Sequence, residues 1–197
     1  MRRPLTHNLR AGLAAGLAIS VLAVVALGTM TIGASASVPA KAKPAAWAKT
    51  VCGSLGTWLD KIDSAAAQAT ATPPTTPAEG KKALVRLVGS ALGATKKLVA
   101  ALKKAGPPAV KGGGDVSSIV IDQFSQVART LAASRTNLKA LPSDDGPAFV
   151  AASRVAEDEL ESGLEHVQAA FNAASVLDVA PLVAAFNAQP ACQELTV

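Results

Sequence analysis

The chain has 197 residues with 19 basic and 14 acidic side chains, and half of it is apolar although only 3% is aromatic and tyrosine is absent. β-Branched and aromatic residues do not gather in alternating runs, which argues against a sheet, while alanine and leucine recur at helical spacing and point to an all-α fold. The net charge of +5 overstates the basicity of the body of the chain: residues 1–36 hold three arginines and no acid, and without them 16 basic and 14 acidic residues remain, a net +2. So small an excess gives no general electrostatic case for nucleic acid.

Residues 1–36 read as an export signal. Arg2, Arg3 and Arg10 make a basic start, the run from Ala11 to Ala36 carries no charge, and Ala34-Ser35-Ala36 is a small-x-small cleavage site. No cysteine lies near that site, so a lipid attached at a cleaved signal is not indicated. The uncharged run of 26 residues also exceeds the ~20 that cross a bilayer, so retention as an anchor through residues 11–33 is the alternative to cleavage. In both cases the basic end stays in the cytoplasm and the remainder is exported. Residues 37–43 are expected to be a flexible leader, and residues 44–197 a single helical domain large enough for a sizeable core.

A first helix is expected after Pro44, with Trp47, Val51, Leu55, Trp58, Leu59 and Ile62 on one stripe, Cys52 beside it, and an end near Ala69. Thr70 to Pro77 reads as a Thr/Pro linker, a compositional candidate for O-glycosylation at Thr70, Thr72, Thr75 and Thr76. Thr76-Pro77-Ala78-Glu79 then supplies a cap, a proline in the first helical position and a glutamate three residues after the cap. The second helix carries Leu84, Leu87, Val88, Leu92, Leu98, Val99 and Leu102 and stops at Gly106-Pro107-Pro108. After the triglycine 112–114, Asp115 is the expected cap of a third helix with Val120, Phe124, Val127, Leu131 and Leu138 inward. A fourth helix is expected from Asp145 or Gly146, with Val150, Ala156, Leu160, Leu164, Val167 and Phe171 on its stripe. A short fifth piece follows near Pro181, with Leu182, Val183 and Phe186 inward. Four long helices with short connections predict an up-down-up-down bundle preceded by the hydrophobic N-terminal segment.

Cys52 and Cys192 are the only cysteines. In an exported chain two lone thiols are expected to form one disulfide. The up-down order puts the start of the first helix and the end of the fourth at the same end, where such a bond can close. It also withdraws both thiols from metal or nucleophilic roles.

The remaining candidates are weaker. Gly80 to Gly112 holds eight basic residues and no acid, whereas Pro142 to His166 holds seven acids and Arg154. A basic face for an anionic partner is one reading. Two solvated faces that attract across the bundle are the other, at ~0–1 kcal/mol per exposed pair. Di-iron bundles use Glu-x-x-His, but Gly163 stands three before His166, and Glu161 with Glu165 lack a second ligand set. A hydrolytic triad through His166 lacks a Gly-x-Ser-x-Gly elbow or a Ser-x-x-Lys pair. The triglycine lacks the Gly-Lys-Ser/Thr ending of a phosphate loop. Gly53, Gly56, Gly89 and Gly93 read as small-residue steps for close helix contact. The two tryptophans and four phenylalanines could line a pocket for an apolar ligand, though their stripe positions fit core packing better. No catalytic residue, cofactor or metal is expected.

Trp47, Val51-Cys52 and Trp58 on the first helix, Ala191-Cys192 near the end, the signal and the alanine-rich body together give a layout that resembles a loose group of small exported helical proteins of actinobacteria. The resemblance implies an exported helical fold and carries no catalytic residues. The expected role is therefore a secreted or envelope-associated, non-enzymatic bundle that binds an envelope or extracellular macromolecule. It touches membrane only through a retained N-terminal segment. The alternative is a carrier of a lipid or other apolar ligand between the helices.

Overall fold

The computed structural model describes residues 41–155, 158, 161, 162, 165 and 179–196. The signal or anchor segment, His166 and most of the expected fourth stripe lie outside them. Within them every regular element is helical: α1 (Pro44–Ala71), α2 (Pro77–Ala105), α3 (Gly113–Ala140), α4 (residues 146–155), α5 (Ala180–Asn187) and α6 (Pro190–Gln193), closed by a 3₁₀ turn, Glu194–Thr196. α2 packs between α1 and α3, and α5 and α6 lie along α1.

The apolar stripes read from the sequence form one core. Trp47, Val51, Trp58, Val88, Leu92, Leu98, Leu102, Val120, Phe124, Val127, Leu131 and Leu138 are all buried in a single cluster. Two edge-to-face ring pairs fix how the layers meet. Trp58 of α1 meets Phe124 of α3 at 5.6 Å, and Trp47 of α1 meets Phe186 of α5 at 5.8 Å. The Trp58 indole N–H donates to Thr95 Oγ1 at 3.0 Å, and that hydroxyl donates in turn to the Ala91 carbonyl at 2.8 Å. A buried tryptophan and a fully buried threonine thereby satisfy each other, as polar groups inside a core must.

α2 starts as its sequence dictates, with one shift. Thr76 Oγ1 accepts from the Glu79 amide at 3.2 Å, the first half of a capping box. The Glu79 carboxylate reaches back one residue further than the usual box, to the amide and hydroxyl of Thr75, at 2.9 and 2.8 Å. The linker before it is shorter than expected: α1 runs to Ala71 and contains Thr70, whose hydroxyl donates to the Ala66 carbonyl, which leaves Thr72 to Thr76 as the exposed connection.

α3 corrects the expected cap. The helix begins at Gly113, with Gly112 in the left-handed region (φ +74°) as its cap, and Asp115 sits in the first turn without a capping bond. The cause is the approach of the preceding loop. A Cβ on Gly113 would stand 2.2 Å from the Pro108 carbonyl oxygen, so only glycine lets the chain turn into the helix there.

Two further residues face the other way from their expected stripes. Val150 is 51% exposed, and its neighbour Phe149 turns inward instead, because Gly80 on α2 leaves its ring a seat. Val183 is 52% exposed, while Leu182 and Ala185 are buried and Phe186 meets Trp47. Leu182 and Phe186, four apart, share the inward face of this eight-residue helix, whereas Val183 lies about 100° round from Leu182.

The last residues of the expected leader are described, and Ala42 there is half-buried. Its N–H donates to the Pro107 carbonyl at 2.9 Å and its carbonyl accepts from the Ala109 amide at 2.7 Å, a short parallel bridge between the chain entering α1 and the α2–α3 loop.

Candidate functional site

The two cysteines come together, as expected for the pair. Their sulfurs stand at bonding distance, 2.03 Å, and their Cα atoms are 5.0 Å apart, inside the ~7 Å limit for a disulfide. Cys52 is buried two turns into α1 and Cys192 is half-buried in α6. α5 lies along α1, with Phe186 edge-on to Trp47, on the approach to Cys192. The linked pair would enclose 140 residues of sequence separation and tie the C-terminal segment to the first helix.

The charged elements separate into occupied and free groups. Of the eight basic residues between Gly80 and Gly112, Lys81 is half-buried and its ammonium donates to the Leu141 carbonyl at the end of α3. Lys82, Arg86, Lys96, Lys97, Lys103, Lys104 and Lys111 are exposed. Arg135 of α3 is half-buried. Its guanidinium lies across Gly89 of α2, where a Cβ would stand 3.1 Å from Nε, and that Nε has no hydrogen-bond partner. Asp144, Asp145, Arg154, Asp158, Glu161 and Glu165 are exposed; Glu157 and Glu159 lie outside the described residues. Asp145 Oδ1 accepts from the Ala148 amide at 2.9 Å and caps α4, as expected. At the start of α2 the Thr75 amide, then the Thr75 hydroxyl, hold the Glu79 carboxyl below the usual carboxylate range.

The small-residue steps are only partly used. Of the four, Gly89 seats Arg135, but Gly53 and Gly93 are exposed and a Cβ added at either would meet nothing within 4 Å, while Gly56 approaches only Leu195; Gly80, outside that set, seats Phe149. Gly80 was legible only as a helix residue. No sequence spacing links it to Phe149, 69 positions on.

Comparison with known protein families, with curated proteins and with solved structures returns no match.

The described residues contain no group of three His, Cys, Asp or Glu side chains close enough to hold a metal. No helix among them is long and apolar enough to cross a membrane. The aromatic side chains Trp47, Trp58, Phe124 and Phe186 pair edge-to-face inside the core, and Phe149 packs on Gly80. The Trp47 indole N–H, unlike that of Trp58, is buried without a partner. The described surface carries a row of exposed cations along α2.

Proposed function

We propose that this is an exported, non-enzymatic helical module, tied by Cys52 and Cys192, that binds an anionic macromolecule of the cell envelope or its surroundings. The observation that carries the reading is the outer face of α2. Six of its cations, Lys82, Arg86, Lys96, Lys97, Lys103 and Lys104, are exposed, and Glu79 is the helix's one acid. Between residues 82 and 104 the row extends over ~33 Å at ~1.5 Å per residue, long enough for repeated contacts along a polymer. Charge arranged on one face raises the rate and selectivity of encounter with a polyanion even when the net charge is small. The export reading rests on the signal-like residues 1–36 and on the cysteine pair, which an oxidising compartment would join. In the same reading α4 continues as the fourth long helix of an up-down bundle.

The test is retention of the purified chain on cell-envelope fractions at low and high salt. Binding that falls as salt rises, and that weakens when Lys96 and Lys97 are changed to glutamine, supports the reading. Binding indifferent to salt, or none, removes it.

A further inference from the structure

The basic row is not the only asymmetry. The Ala42–Pro108 bridge brings the chain entering α1, the last turn of α2 and the α2–α3 loop to one end of the bundle. Five exposed lysines collect there: Lys41 and Lys43 on the entering strand, Lys103 and Lys104 in the last turn of α2, and Lys111 in the loop. Among the described residues the helix that starts at that end has one acid in its first turn, Asp115. Asp122 lies about two turns further in, and Glu194 is held along α1 by Leu195, which reaches Gly56. The opposite end is balanced, with Lys81, Lys82 and Lys139 beside Glu79, Asp144 and Asp145. The antiparallel order of α1 and α2 puts these residues at the same end, and the bridge draws the entering segment against the loop.

The lysine-rich end is also the one from which the chain leads back to the uncharged run ending at Ala36. We propose that this end of the bundle seats on an anionic lipid surface, with Lys41, Lys43, Lys103, Lys104 and Lys111 against the headgroups. The proposal rests on the reading of residues 11–33 as a retained anchor. From residue 34 to Lys41 the chain spans at most ~29 Å when fully extended. A bundle on that tether can stand off the membrane or sit on it, and the two states differ sharply in electrostatics. The attraction of a charged surface decays over ~8 Å at physiological salt, so lysines at full tether length gain nothing and seated ones gain about fivefold each in the seated-to-free ratio. The far end of α2, about 43 Å away along its axis, stays outside the field in either state.

The experiment reconstitutes the full chain in vesicles of phosphatidylcholine alone or of phosphatidylcholine with phosphatidylglycerol. An amine-acylating reagent is applied briefly and the modified lysines are read by mass spectrometry. Seating predicts that Lys41, Lys43, Lys103, Lys104 and Lys111 are protected only in the anionic vesicles, that high salt abolishes the protection, and that Lys61, Lys82 and Lys139 are labelled alike in both. The exposed pair Lys103→Gln and Lys104→Gln is expected to lower the seated-to-free ratio about 25-fold, seen as recovered labelling of Lys41 and Lys43. Equal labelling of these lysines in both vesicles, with the chain co-floating, overturns the seating while leaving the anchor. A chain that floats with neither vesicle overturns both. Protection by inorganic polyphosphate in neutral vesicles, with none from anionic vesicles alone, overturns the lipid assignment in favour of a soluble polyanion.

Discussion

Gly113 and Gly93 should respond to the same substitution with opposite signs. Both are helical glycines, and alanine in a helix interior is favoured over glycine by ~1 kcal/mol. At Gly93, exposed on α2, an added methyl meets nothing within 4 Å, so Gly93→Ala is expected to stabilise by about 0.5–1 kcal/mol. At Gly113 the methyl would stand 2.2 Å from the Pro108 carbonyl oxygen, and that obstacle is backbone, not the tip of a mobile side chain. Pro108 lies between the two residues that bond Ala42, so moving it disturbs the hydrogen bonds at 2.9 and 2.7 Å as well. Overpacking costs about 1–3 kcal/mol and the two bonds about 1 kcal/mol net each, offset by the ~1 kcal/mol helix preference for alanine, so Gly113→Ala is expected to destabilise by roughly 2–4 kcal/mol. At about 2–4 °C per kcal/mol for a domain of this size, thermal unfolding followed by circular dichroism should show a drop of roughly 4–16 °C for Gly113→Ala and a rise of about 1–4 °C for Gly93→Ala. A Gly113→Ala protein as stable as the parent would refute the close approach of the loop, and with it the bridge that gathers the lysines.

Replacing Cys52 and Cys192 together by serine removes a link across 140 residues, for which the chain-entropy relation gives about 5 kcal/mol as an upper figure; thermal unfolding of the oxidised parent and the double variant should differ accordingly. Thr95→Val leaves the buried Trp58 N–H without its acceptor and is expected to cost about 1–3 kcal/mol in denaturant unfolding, whereas the exposed Lys97→Gln nearby on α2 should be near neutral. Phe124→Ala, at a site 1% exposed and edge-on to Trp58, should cost about 3–5 kcal/mol by the same measurement. Glu79 makes a pH prediction: its carboxyl is held below the ordinary value of 4.5 by bonds that favour the charged form. Its stabilising effect is therefore present above that value and is lost as pH falls through the lower, folded one. Glu79→Gln should flatten that part of the stability profile, and an unchanged acid limb would show that the cap is not closed in solution.

The long helices were legible because each carries its signal within a few turns. The stripes from Trp47 to Ile62, from Leu84 to Leu102 and from Val120 to Leu138 needed only a helical period, and Thr76-Pro77-Ala78-Glu79 announces a helix start in four letters. The pairing of Cys52 with Cys192 was legible from there being two cysteines and a signal-like N-terminus. What escaped is decided between distant segments. Asp115 is a good cap by type, but Pro108 crowds Gly113 and the helix starts before the aspartate. Val150 and Phe149 are equally plausible inward residues until Gly80 opens a seat for the ring. The lysine end follows in outline from the antiparallel order of α1 and α2, but the place of Lys41 and Lys43 against the α2–α3 loop does not, since a two-bond bridge at Ala42 sets it.

The pairing of Cys52 with Cys192 joins the export reading to the fold, and peptide mapping under non-reducing conditions tests it most directly. Protein recovered from producing cells is denatured in the presence of a thiol-alkylating reagent, digested without reduction and analysed by mass spectrometry. The expected result is one cross-linked pair of peptides carrying Cys52 and Cys192, with neither thiol alkylated. Two alkylated cysteines in the same protein would contradict the disulfide, and with it the oxidising compartment and the tie between α1 and the C-terminal segment.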